Sequence, residues 1–179
     1  MYQEDFHILF NAVHSVHGAI LQDLDEIAKQ TKLKSASHLH ILFIVVTFET
    51  PVTPTQISRI MNQHFTTVLL QLRWLEEHQY VEIRKGTKDG RTNEVIPTAK
   101  GIEKVKQLIL SNAVNLHSYR LIYEYQKRYG RKSLQHGIQF LLNYMELLHK
   151  DSQSNWTYTS LQYIRKLLEN EQLSTGTNE

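Results

Sequence analysis

Between Arg84 and Arg91 the chain reads "RKGTKDGR". Four cations, Arg84, Lys85, Lys88 and Arg91, fall within eight residues, and Asp89 stands two positions before Arg91. A surface turn needs only polarity and a glycine, so this density of positive charge suits a negatively charged partner. Duplex DNA is such a partner: it is a dense row of phosphates, and a narrow minor groove concentrates negative potential that favours an inserted arginine. Arg91 is the residue expected to insert, Asp89 would brace its guanidinium, and Lys85 and Lys88 would meet phosphates. Elsewhere the sequence holds no nucleophile elbow, P-loop, HExxH or paired-carboxylate motif, so an enzyme is not expected.

A second set of polar side chains precedes this cluster, in "HFTTVLLQLRW". His64, Thr66, Thr67 and Gln71 are the residue types that contact phosphates and base edges: hydroxyls serve either, and a glutamine amide can pair bidentately with adenine. Leu70 suits either thymine methyl groups or packing against the preceding helix. Arg73 would reach a phosphate, and Trp74 is expected to be partly packed. The ten histidines raise the alternative of a metal site, with His14 and His17 one helical turn apart. No H-x-x-x-H pair or cysteine accompanies them, so neither metal nor cofactor is expected.

These side chains need elements to hold them. Phe6, Leu9, Val13, Val16, Ile20, Leu24 and Ile27 recur at three or four, which predicts an amphipathic helix from Tyr2 to about Lys29. "SASHLHILFIVVTFE" is apolar nearly all round and reads as a buried helix capped by Ser35 or Ser37, although its β-branched run also fits a strand. "TPVTPTQISRIMN" predicts a short helix starting near Thr53 or Thr55. A turn at Asn62–His64 leads into a second helix with Val68, Leu72 and Leu75 on one face. Two short helices joined by a tight turn form a helix-turn-helix. "YVEIRK", the turn "GTKDGRTN" and "EVIPT" then predict a β-hairpin with Asp-Gly at its tip. A hairpin directly after a helix-turn-helix is a wing. Thr98 can cap the next helix, expected to run to about Tyr129 and close at Gly130, with further helices near Ser133–His149 and Thr157–Leu168.

The formal net charge is only +2, but it is unevenly spread. Residues 1–30 hold five acids against Lys29, whereas residues 54–106 hold nine cations against six acids. The absence of cysteine excludes a disulfide framework and thiolate ligands. No stretch of eighteen apolar residues is present and the N-terminus is acidic, so a cytoplasmic protein without membrane association is expected.

"TQISRIMNQHFTTVLLQLRWLEEHQYV" resembles the MarR-type winged helix-turn-helix. "DGRTNEVIPTAKG" resembles that family's wing signature, D-x-R, an apolar strand and T-x-x-G, with Asp89, Arg91, Val95, Thr98 and Gly101 on the matching positions. "SHLHILFIV" and "HFTT…LEEHQYV" are similar to the Hpr subgroup of that family, which carries an extended helical C-terminus. The pattern covers about residues 1–130. Pro97 stands where leucine is usual, Gln79 where glycine is usual, and Leu69 and Leu70 where small polar or arginine side chains are common.

The resemblance implies a homodimeric transcription regulator, often a repressor, that binds double-stranded DNA and leaves room for a small-molecule effector. It also supports the roles given to Arg91 and Asp89. The expected fold is mostly α with a small hairpin wing. Residues 1–34 are assigned to an N-terminal dimerisation helix, 35–100 to the winged helix-turn-helix, and 101–179 to a helical dimerisation region. Two other readings of the same fold are a zinc-type metal-responsive regulator and a protein-interaction module that does not bind DNA.

Overall fold

The computed structural model describes residues 3–48, 50–86, 92–110, 116–148 and 156–175. Among these described residues seven helices and one hairpin follow in chain order: α1 (Gln3–Gln30), α2 (Ala36–Thr47), α3 (Pro54–Met61), α4 (Phe65–Glu77), β1 (Val81–Lys85), β2 (Asn93–Pro97), α5 (Ala99–Leu110), α6 (His117–Leu148) and α7 (Trp156–Thr175). The architecture is a mostly helical winged helix-turn-helix with a two-stranded antiparallel wing, as the sequence predicts.

The elements fall into two compact units. One holds α1 and α6 as far as Leu142; the other holds α2 to α5, the hairpin, α7 and the end of α6. Residues 143–179 therefore group with 37–111. The division into 1–34, 35–100 and 101–179 separates proposed roles, and compactness cuts the chain differently.

In the first unit, α1 presents a nearly unburied surface from Gln3 to Gly18, with Phe6 48% and Phe10 59% exposed. Burial begins near its end, at Asp23 and Ala28. The Asp23 carboxylate closes the N-terminus of α6, and the Asp25 carboxylate accepts from the Ala36 backbone N–H at 2.8 Å. Gly130 adopts φ 83° and ψ 159° inside α6, a conformation only glycine takes readily. α6 is thus two helical stretches joined at Gly130, so the helix end expected there from the sequence is observed as a kink between them. The single helix expected from Thr98 to Tyr129 is instead two, α5 and the first part of α6; residues 111–115 between them lie outside the described residues.

The second unit carries the main core. α2 is a helix despite its β-branched run, and Ile41, Leu42, Ile44 and Val45 are almost fully enclosed. Enclosure on several sides explains why its sequence shows no polar face. Thr47 donates to the Phe43 carbonyl at 2.8 Å and accepts from the Trp156 indole N–H at 2.9 Å, which ties the start of α7 to α2. The Trp156 ring also meets His40 and Phe43 at centroid distances of 5.4 and 6.2 Å. Ser160 and Leu167 of α7 are buried, so part of this C-terminal helix is used inside the unit.

In the wing, Val81 pairs with Pro97, Ile83 with Val95 and Lys85 with Asn93. Val52, before α3, forms a third pairing through two backbone bonds with Val95, at 2.7 and 3.2 Å. No sequence pattern predicts this one-residue strand. Its signal is only an isolated valine between two prolines, because Val52 spans too few residues to alternate.

Candidate nucleic-acid interface

The helix-turn-helix is held by local polar closures. Thr53 and Gln56 form a capping box at the start of α3: the Gln56 N–H donates to Thr53 Oγ1 at 3.2 Å, and the Thr53 N–H donates to Gln56 Oε1 at 2.8 Å. Asn62 ends that helix in the left-handed region, φ 49°, which asparagine tolerates better than most residues. Ser58 Oγ then donates to the Gln63 carbonyl at 2.8 Å, and the Gln63 amide reaches Ser37 Oγ on α2 at 3.4 Å. These bonds fix the angle at which α4 leaves the turn.

α4 buries Val68, Leu72 and Leu75, the face expected from its spacing. His64 takes the N-cap position without a side-chain capping bond. His64, Thr66, Thr67, Leu70 and Arg73 are all exposed. Leu70 is 65% exposed, which leaves it facing outward rather than packed on the preceding helix. Gln71 behaves differently: it is half-buried, and its side-chain oxygen is enclosed with no hydrogen-bond partner.

The far end of α4 is braced by aromatic rings and by the wing. Trp74 stacks on His78 at 3.8 Å, meets His38 edge-on at 4.8 Å, and lies 6.4 Å from Tyr80. The expected partial packing of Trp74 is observed. Gln79 takes φ 62°, the left-handed C-terminal position where glycine is usual. The Tyr80 and Gln79 N–H groups close the helix on the Leu75 and Glu76 carbonyls, at 2.9 and 2.8 Å. The Glu76 carboxylate accepts from the Ile83 N–H at 2.9 Å, so the outward helix and the first wing strand are tied side chain to backbone.

Thr98 and Gly101 form the hinge from the wing into α5. Thr98 Oγ1 donates to the Gln79 carbonyl at 2.6 Å and accepts from the Gly101 N–H at 3.1 Å. A Cβ at Gly101 would overlap the Tyr80 carbonyl oxygen and crowd Leu42. The T-x-x-G spacing is thus a hydroxyl cap followed by a position where only hydrogen fits. No local sequence pattern marks Lys100. It donates to the His78 carbonyl at 2.8 Å and lies 4.6 Å from the centre of the Tyr80 ring, clamping the end of α4. Only the tertiary turn brings positions 78, 80 and 100 together.

Of the basic cluster, Arg84 and Lys85 are exposed on β1. Arg84 faces Glu94 in register, with its Nε 3.6 Å from Glu94 Oε2. This pairing offsets one of the four cations, a reduction that counting within residues 84–91 cannot show. The Gly86 N–H extends the ladder to the Thr92 carbonyl at 2.8 Å. Lys88, Asp89 and Arg91 lie outside the described residues.

The histidines meet several different neighbours. His14 stacks on Phe10 and His78 on Trp74, His38 meets Trp74 edge-on, and His40 lies tilted against Trp156. Among the described residues no group of three or more histidine or carboxylate side chains is gathered as a metal site. No helix of the described residues is long and apolar enough to cross a membrane.

No protein-family model and no curated protein matches the chain. Solved structures do match its fold. A MarR protein from Peptoclostridium difficile superposes with a TM-score of 0.61 at 18% identity, covering 84% of this chain and 90% of the other. The transcriptional regulator BldR from Sulfolobus solfataricus gives 0.56 at 18% identity, over 80% and 99% of the two chains. Overoxidized AbfR bound to DNA gives 0.54 at 19% identity, over 79% and 99%. Identities this low establish a shared winged-helix fold.

Proposed function

We propose that this chain is a homodimeric, sequence-specific DNA-binding regulator of transcription, acting as a repressor. α4 would enter the major groove and the basic wing would follow the adjacent minor groove. The observation that carries this reading is the tether between Glu76 and Ile83, which fixes the outward face of α4 and the basic strand β1 as one body. A duplex needs such a body: a helix for base edges beside cations for phosphates. Thr66, Thr67, Leu70 and Arg73 would face the groove, with Arg84, Lys85, Lys88 and Arg91 toward phosphates. The fold match to AbfR, whose structure was determined with DNA bound, supports the same reading.

Dimerisation would use α1 and α6, whose apolar side chains are left exposed along both helices, including Ile8, Val16, Leu121, Ile122 and Phe140. Large apolar side chains left exposed along the length of a helix are the mark of an association surface. The two-fold axis implies a pseudo-palindromic operator whose half-sites lie about 10 bp apart. The Hpr subgroup and a small-molecule effector are carried by the sequence resemblance alone. The test is a titration of labelled duplex at two salt concentrations. Binding that weakens steeply with salt supports the proposal; binding absent at both concentrations points to the protein-interaction reading of the fold.

A further inference from the structure

Among the described residues from Ser37 to Leu110, the large apolar side chains left exposed are Phe65, Leu70 and Leu110. Leu70 is the most exposed of the three, at 65%. It also has a particular place on its helix. At about 100° per residue, Leu70 lies roughly 170° around the α4 axis from the mean direction of the buried Val68, Leu72 and Leu75. It is therefore the centre of the outward face. Thr66 lies one turn before it and Arg73 less than one turn after, both exposed. Exposed Glu77 follows on the same stripe and would repel phosphate, which limits close approach to the N-terminal two-thirds of the helix.

The obvious polar reader on this helix is turned away. Bidentate pairing with adenine uses both the oxygen and the nitrogen of a glutamine amide. The oxygen of Gln71 is enclosed, so its present conformation cannot supply that pair. What remains at the centre of the face is a branched hydrocarbon flanked by the methyl-bearing threonines 66 and 67. In the major groove the one apolar feature that distinguishes a base is the C5-methyl group of thymine.

We infer that Leu70 reads thymine, so that each half-site carries a thymine whose C5-methyl packs against it. This inference rests on the DNA-binding reading and adds the chemical identity of the base that is read. Arg73 beside it, and Arg84 and Lys85 on the tethered strand, supply the charge that favours a nucleic acid over an apolar peptide groove as the occupant.

The test first selects duplexes bound by the full-length protein from a random pool. The thymines of the selected half-sites are then replaced by deoxyuridine one position at a time, at the matching position of both half-sites, which removes the methyl and leaves the pairing edge intact. One buried methyl contributes about fourfold in affinity, hence about fifteenfold for a dimer that loses one in each half-site. Replacement should produce that loss at one position per half-site, and Leu70→Ala should bring the thymine-to-uracil ratio there close to one. If wild-type protein binds both duplexes equally with a steep salt dependence, the inference falls and DNA binding stands. If Leu70→Ala keeps the discrimination, another side chain reads the methyl and the inference is overturned. If no duplex is bound at any salt concentration, both readings fall. The uracil comparison on wild-type protein needs no substitution, so a poorly folding variant cannot obscure the result.

Discussion

The carboxylate of Asp23 on α1 caps the first turn of α6 at Ser118, accepting the Ser118 backbone N–H at 2.7 Å and its hydroxyl as well. The His117 N–H donates to the other oxygen at 3.1 Å. Helix N-terminal amides have no partner within their own helix, so a carboxylate from 95 residues earlier does what a local cap does elsewhere. The Ser118 hydroxyl chiefly, with the two backbone donors, holds Asp23 below the ordinary carboxylate range.

Replacement of Asp23 by alanine should cost about 1–2 kcal/mol at neutral pH, the scale of a lost cap. A lowered carboxylate pKa means stabilisation that is full above the unfolded value near 3.8 and is lost as pH falls through the folded one. Urea midpoints of wild type and Asp23→Ala should therefore differ at pH 7 and converge in strong acid. Parallel curves down to pH 2 would show that the ionised cap contributes nothing.

Gly101→Ala should destabilise the winged unit by about 1–3 kcal/mol, the usual range for forcing an atom into filled space. The obstruction is the Tyr80 backbone carbonyl, which cannot swing aside as a flexible side chain would. It also accepts from the Thr98 N–H at 3.1 Å, so displacing it strains the hinge between wing and α5. Thermal unfolding would read this. A variant melting with wild type would mean that the backbone there yields easily.

His40 is half-buried beside Trp156, and burial lowers its pKa from the ordinary 6.5 because the charged form loses its hydration. The folded state then prefers neutral His40 while the unfolded chain takes up a proton. Its contribution to stability is complete above about pH 6.5 and is lost as pH falls toward the lower folded value. His40→Leu should flatten the decline in stability between pH 7 and 5 relative to wild type. An unchanged slope would assign that decline to other histidines.

Local chemistry was legible in the sequence, and most long-range partnerships were not. The helix start near Thr53, the Val68–Leu72–Leu75 face and the Thr98 cap depend on residues a few positions apart, and the hairpin on alternation either side of one short turn. Asp23 with Ser118, Thr47 with Trp156, and Lys100 with His78 join residues between 22 and 109 positions apart, and no periodicity marks such pairs. Gln71 shows the limit within a site. On a helical wheel it lies roughly 65° from the mean direction of Val68, Leu72 and Leu75 and about 100° from Leu70, so its residue type suggested a base reader while its position already leaned toward the enclosed side.

Self-association should depend on the α1 stripe. Phe10 stacks on Phe6 at 6.1 Å and is still 59% exposed, so a charge there has ample room in the single chain and none inside an apolar interface. Phe10→Glu combined with Val13→Glu should shift sedimentation from dimer toward monomer while the helical content stays intact. This is a cleaner probe than deleting the C-terminus, which would strip buried Leu167 from the winged unit. A doubly charged variant that remains a tight dimer would remove α1 from the interface.

The final prediction concerns Glu94, whose carboxylate pairs with Arg84 across the wing. Each cation that meets a phosphate displaces counterions, and the slope of log affinity against log salt steepens by about 0.9 per contact. While Glu94 faces Arg84, that guanidinium is partly offset and contributes less than a full contact. Glu94→Gln keeps the shape and removes the opposing charge. It should strengthen binding to random and selected duplexes alike and steepen the slope by up to about two per dimer. Arg91→Ala should do the reverse, flattening the slope by about one to two. A slope unchanged by Glu94→Gln would put Arg84 outside the phosphate field, and a slope unchanged by Arg91→Ala would leave the wing tip a solvated turn.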